Sequence, residues 1–197
     1  MRSYGLYFSL VLIMIVLFLL EPLSSRYLRY DRELIITGEF WRLFSAHFVH
    51  LSLPHLLGNT LGVLLLGYIA DSALNNRLGL ILLLWCCAVV GVGLFAYADY
   101  LQRYVGFSGV LHGLLLVAPF ISSFYSRPIA ISILMVIVCK VIWEQTPFYD
   151  GAELAGLIGG RVEVNAHALG AIAGLIFLAG YQLFNLLKAE KPVEVSR

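Results

Sequence analysis

The stretch YVGFSGVLHGLLLVAPF, Tyr104 to Phe120, sets a hydroxyl between two glycines just before a run built for lipid. The chain around it has 197 residues, 60% of them hydrophobic and 13% charged, with a mean hydropathy of +0.88. A soluble domain carries roughly 25% charged residues, about twice this fraction. Runs of about 17–25 mostly apolar residues serve as membrane spans. The composition therefore predicts an all-α membrane protein.

Working outward from Ser108, six apolar segments can be marked: Leu6–Leu20, Leu53–Ala70, Leu78–Ala98, Phe107–Phe124, Ile129–Trp143 and Ala166–Leu187. They form one domain over residues 1–197. The first segment follows Met-Arg and resembles a signal peptide in length. No small-x-small cleavage site stands out after it, so an uncleaved span is expected. With the N-terminus inside, the cytoplasmic side holds Arg2, Arg77, Arg127, Lys188, Lys191 and Arg197. The shorter outer connections carry only Arg103 and Arg161. That asymmetry favours both termini in the cytoplasm.

The long first loop, Glu21–Val49, contains GEFWRLFSAHFVH. Its aromatic, arginine and histidine residues suit a segment lying in the headgroup region, with His47 as an interfacial loop residue. The connection from Gln145 to Asn165 is Gly- and acid-containing and is expected to be flexible. Net charge is +1 with no dense basic patch, which excludes a nucleic-acid partner. Cys86, Cys87 and Cys139 all lie in apolar runs and are expected to be small buried hydrophobes.

Parity brings the polar residues together. Ser108 heads segment four, His167 heads segment six, and His55 and Asn59 lie in the first turns of segment two. Even-numbered spans start from the same side, so these residues share one leaflet near the outer face. On segment six, His167, Gly170, Ala171 and Gly174 share a helical face. Segment four offers Gly109 and Gly113 at small-xxx-small spacing, which permits close backbone approach.

A serine hydroxyl needs a neighbouring base to become a nucleophile, and neutral imidazole suits that task near pH 7. Attack on a peptide carbonyl develops a negative oxygen that needs fixed donors. His55 and Asn59, at i and i+4, can present N–H groups, and the Ser108 N–H at a helix start adds to them. No acidic residue lies near His167 in sequence on its inward face, so a Ser–His dyad is expected. His112, four residues after Ser108, is the alternative base, or else a packing partner of His167. Lys140 and Glu144, at i and i+4, form a mutual ion pair in the simplest reading. The alternative is that Glu144 meets a polar or basic element of a substrate. The spacing of His47, His50 and His55 follows no zinc pattern, and neither a metal nor a cofactor is expected.

Trp41–Arg42, HLSLPHLLGN from His50 to Asn59, GFSG at Gly106–Gly109 and AHALG at Ala166–Gly170 resemble, in order, the signature of rhomboid intramembrane serine proteases. The resemblance implies a six-transmembrane-helix bundle with a water-filled cavity open to the outer side. It implies Ser108 as nucleophile, His167 as base, His55 and Asn59 in the oxyanion hole, and His50 as a tie between first loop and core. Where rhomboids usually carry tyrosine four residues after the nucleophile, this chain has His112. GFSGVLHG in a compact chain resembles the rhombosortase branch. That branch implies bacterial inner-membrane localisation, a periplasmic-side active site, and transmembrane substrates in the lipid bilayer bearing C-terminal Gly-Gly, hydrophobic and basic tails. Zinc and aspartyl intramembrane proteases need HExxH or GxGD, and neither occurs. A general rhomboid with other single-span substrates, an inactive client-binding relative and a small transporter are the competing readings. No paired broken helices favour the last.

Overall fold

The structure, a computed structural model, describes residues 4–74 and 77–189. Six helices carry most of the apolar sequence: α1 (Gly5–Leu19), α5 (Leu53–Ala70), α6 (Arg77–Tyr97), α7 (Ser108–Ile121), α8 (Arg127–Glu144) and α10 (Val164–Ala189). Between them lie short helices α2 (Leu23–Leu28), α3 (Arg32–Ile36), α4 (Arg42–Ser45) and α9 (Ala152–Ile158), with a 3₁₀ turn at Ala46–Phe48. Helices α5, α6 and α10 are long and apolar enough to cross a membrane, while α1 and α7 are shorter apolar helices. Helix α8 carries Arg127, Lys140 and Glu144. Outward faces are apolar, as with Leu61, Leu64 and Tyr68 on α5 and Ile172 and Ile176 on α10. This is a multi-pass α-helical membrane protein. Of the residues used to argue orientation, Arg2, Lys191 and Arg197 lie outside the described residues.

Helix α7 sits at the centre, packed on α10, α5, α6 and α8. Its contact with α10 is set by glycine. A Cβ on Gly109 would lie 2.8 Å from the Ala166 carbonyl oxygen, one on Gly113 would lie 2.6 Å from that of Gly170, and one on Gly174 would lie 2.7 Å from that of Gly113. A Cβ on Gly170 would collide with the Gly109 carbonyl oxygen. The backbones therefore touch along about two turns of α10, and the stripe of small residues visible in the sequence is the seam itself.

At 14 residues α7 is short. At 1.5 Å per residue it reaches about 21 Å, against about 30 Å of hydrocarbon. The chain enters the bundle as an extended segment, β2 (Arg103–Tyr104), which pairs antiparallel with β1 (Tyr30–Asp31) from the first loop. Irregular backbone at membrane depth survives only where protein covers it, and the first loop provides that cover. Gly106 N–H donates to the Ala46 carbonyl at 3.0 Å.

That role changes the picture of an interfacial loop. Trp41 is exposed, with Nε1 donating to the Tyr27 carbonyl at 3.1 Å. Arg42, by contrast, is buried: it pairs with Glu39 at 2.6 Å and donates to the carbonyls of Arg29 and Arg26 at 2.9 and 3.0 Å. Its fan of donors ties three pieces of the loop together. His47 is fully buried rather than interfacial, and its Nε2 lies 3.1 Å from the Cys87 carbonyl on α6. A carbonyl only accepts, so Nε2 carries the proton. The 145–165 connection, expected to be flexible, contains α9 and ends it at Gly159 with φ +78°. Cys86 and Cys87 are buried as expected, but Cys139 is exposed, because it faces away from the bundle on α8.

Substitution Gly170→Val is expected to destabilise the protein by at least about 3 kcal/mol, the upper range for overpacking, since backbone rather than a side chain must move. Thermal unfolding in a non-ionic detergent measures this, with Gly180→Ala, where no atom lies within 4 Å of the added Cβ, as the tolerated comparison.

Candidate active site

The turn before α7 aims the serine. Gly106 has φ +118°, and a Cβ there would stand 2.6 Å from His55 Nε2. Glycine is required on both counts. The Tyr104 hydroxyl donates to the Gly106 carbonyl at 2.8 Å, and Phe107 is fully buried beneath. Ser108 then begins α7. As a first-turn residue its N–H has no carbonyl of its own helix to bond.

Ser108 Oγ and His167 Nε2 are 2.9 Å apart. His167 is buried at the start of α10. Its other nitrogen, Nδ1, lies 2.9 Å from Glu144 Oε2. An acidic partner is therefore present, contrary to the dyad expected from the sequence. It comes from the end of α8, 23 residues away, where no scan of the neighbourhood of His167 finds it. Glu144 also pairs with Lys140 at 2.8 Å, as the i,i+4 spacing predicts. Both of its oxygens are engaged and the side chain is only 4% exposed. The sequence signal for it was a carboxylate inside an apolar helix, a rarity that points to function.

His112 does not reach Ser108 Oγ as a base. Its Nδ1 lies 2.7 Å from the Ser108 carbonyl oxygen and its Nε2 lies 2.8 Å from Lys140 Nζ. Its ring stacks on His167 at 4.3 Å and 22°, the packing alternative of the sequence reading.

Among the other candidates, Asn59 is buried and its Nδ2 donates to the His55 carbonyl at 3.3 Å. The Ser52 hydroxyl caps α5 by accepting from His55 N–H at 3.3 Å, with Pro54 in the first turn. His50 is buried, donates from Nδ1 to the Phe48 carbonyl at 3.1 Å and meets the His55 ring edge-on at 4.9 Å. The hydrogen bond from the first loop to α6 is made by His47, not His50. Gly109 belongs to the α7–α10 seam. Ser108 and His55 open onto a cavity of about 370 Å³ that Leu51, Tyr104, Arg161 and Glu163 also line.

His112, Glu144 and His167 offer ligand atoms within 4.8 Å of one another, the described residues' one such cluster. Lys140 Nζ already stands among them, 2.8 Å from His112, 2.8 Å from Glu144 and 3.5 Å from His167. An ammonium there supplies the positive charge and opposes a cation, so the donor set does not fit a metal.

Burial holds His47 and His50 neutral, pulling them from 6.5 to about 4 and about 3. The His55 ring adds to the effect on His50. Depressed values mean that the unfolded chain binds protons the folded chain refuses. Their contribution is complete above pH 6.5 and is lost as pH falls toward about 4 for His47 and about 3 for His50. Stability is expected to drop by about 1.4 kcal/mol per pH unit per histidine across that window. Unfolding midpoints in detergent between pH 7.5 and 4.5 measure the slope, and His47→Gln should flatten it.

A family model for the Rhomboid domain matches residues 37–184, which include every candidate named above. No curated protein matches the chain.

Proposed function

Since the chain belongs to the rhomboid family, whose members are intramembrane serine proteases acting on transmembrane substrates, we propose that it is an active serine endopeptidase with Ser108 as nucleophile and His167 as base. The observation that carries this is the 2.9 Å contact between Ser108 Oγ and His167 Nε2, within hydrogen-bond reach of proton transfer. His167 Nε2 takes the Ser108 proton as Oγ bonds to the substrate carbonyl carbon. The tetrahedral intermediate then collapses as the C–N bond breaks, and the leaving amine receives that proton from Nε2. Water attacks the resulting ester with His167 again as base, releasing the acid and restoring Ser108. The oxyanion is received by the Ser108 N–H together with His55 and Asn59, which stand on the adjoining helix α5. His55 supports this placement by sharing the cavity with Ser108.

In this reading all six long helices cross the bacterial inner membrane, over approximately 6–20, 53–70, 78–98, 107–124, 129–143 and 166–187. Both termini are cytoplasmic and Ser108 faces the periplasmic leaflet. The substrates are membrane-anchored proteins with C-terminal Gly-Gly, hydrophobic and basic tails, as the rhombosortase-like GFSGVLHG suggests. Glycine beside the cut suits the chemistry, because a peptide bond in an intact helix is shielded and glycine loosens that helix.

Purified protein in detergent is expected to label with a fluorophosphonate probe, and to cleave a reporter anchored by a Gly-Gly tail. Ser108→Ala should abolish both, and His167→Asn should reduce both by about a thousandfold or more. A folded wild type that neither labels nor cleaves would overturn the enzymatic reading in favour of client binding without chemistry.

A further inference from the structure

Three polar groups beside Ser108 and His167 have no part in the steps above: His112 on α7, and Lys140 and Glu144 on α8. Their protons can be counted. Ser108 Oγ–H donates to His167 Nε2, so the neutral ring carries its proton on Nδ1. Nδ1 lies 2.9 Å from Glu144 Oε2, which accepts that proton. Lys140 Nζ is 3.5 Å from the same nitrogen but 2.8 Å from Glu144 Oε1 and 2.8 Å from His112 Nε2, so its donors go to the latter two. His112 Nε2 is then an acceptor and its proton sits on Nδ1. That nitrogen faces the Ser108 carbonyl oxygen at 2.7 Å, which only accepts. Each donor meets an acceptor. Moving the His167 proton to Nε2 would set a bare Nδ1 lone pair against a carboxylate.

Resting on the Ser108–His167 reading, we propose that Glu144 is the positioning residue of the catalytic base, completing a Ser108–His167–Glu144 relay in which Lys140, seated by His112, is the built-in counter-ion. Glu144 holds His167 in the tautomer whose Nε2 can accept from Ser108. When His167 takes that proton, the carboxylate at 2.9 Å faces the new imidazolium and stabilises it. The ammonium of Lys140 offsets the cost of keeping a carboxylate ionised away from water, and the cluster is neutral overall before reaction. The stacked His112 ring stops His167 from rotating out of line. A surface ion pair needs only Lys140 and Glu144. Here the bonds join α7, α8 and α10, and the second oxygen of Glu144 is spent on the base.

Fluorophosphonate labelling of full-length protein, followed to saturation, separates the maximal rate from the affinity for the probe. Glu144→Gln is expected to lower the maximal rate about a hundredfold or more, as loss of the orienting carboxylate does in other serine relays, with probe affinity within threefold. Lys140→Met should lower the rate about tenfold, and Lys140→Arg should recover most of it. Proton NMR of wild type should show a His167 Nδ1–H resonance far downfield of the amides, absent in His167→Asn. A Glu144→Gln variant that labels at the wild-type rate would overturn the relay while leaving Ser108 and His167 in place. So would a wild type without the downfield resonance, whether or not the variants fold. A wild type that shows the resonance but never labels would instead sink the protease reading.

Discussion

The backbone contact between α7 and α10 is the constraint on which the site depends. With Gly109 and Gly113 against Ala166, Gly170 and Gly174, the carbonyl oxygens of each helix sit where a side chain on the other helix's glycines would have to stand. Ser108 and His167 sit at the same end of that seam. The close approach of the two backbones is what lets their side chains stand 2.9 Å apart. A single methyl at Gly170 would meet the Gly109 carbonyl, one residue from Ser108, so packing of the seam and placement of the candidate nucleophile cannot be separated there.

The second constraint is the low polarity around the bundle. Starting a helix inside a membrane leaves first-turn N–H groups and an extended approach segment that lipid cannot satisfy. The approach segment that holds Tyr104, Gly106 and Phe107, all buried, would be exposed in this way without a cover. The first loop supplies one: β1 pairs with β2, Ala46 accepts from Gly106, and His47 bonds α6. Arg42 holds that cover together from within, which is why it is buried while its neighbour Trp41 is not. Ser108 itself opens onto a cavity beside His55.

The charges follow the same logic. A carboxylate, an ammonium and two imidazoles gathered in an apolar bundle are tolerable because every hydrogen bond closes and the net charge is zero. Breaking the link between Glu144 and His167 leaves a buried donor or acceptor unsatisfied, at a cost of about 1–3 kcal/mol. Such a network is sharply defined in geometry.

Much of this was legible in the sequence. Apolar runs mark the helices, the small-residue stripes on segments four and six mark the seam, and parity places Ser108, His167, His55 and Asn59 toward one end. These follow from local composition and from the two-sidedness of a membrane, neither of which needs coordinates. What sequence could not supply were the partners chosen across helices. Glu144 looks like the mate of Lys140 alone, because helical spacing shows only neighbours on the same helix. Its second oxygen meets His167 through the crossing of α8 and α10. Arg42 and His47 look interfacial by residue type and are buried by the loop's return onto the bundle. The sequence by itself determined the helices, their small-residue faces and the candidate nucleophile and base. Only the tertiary structure decided the third member of the cluster and the cover over the turn, because both depend on how separate helices and the first loop pack.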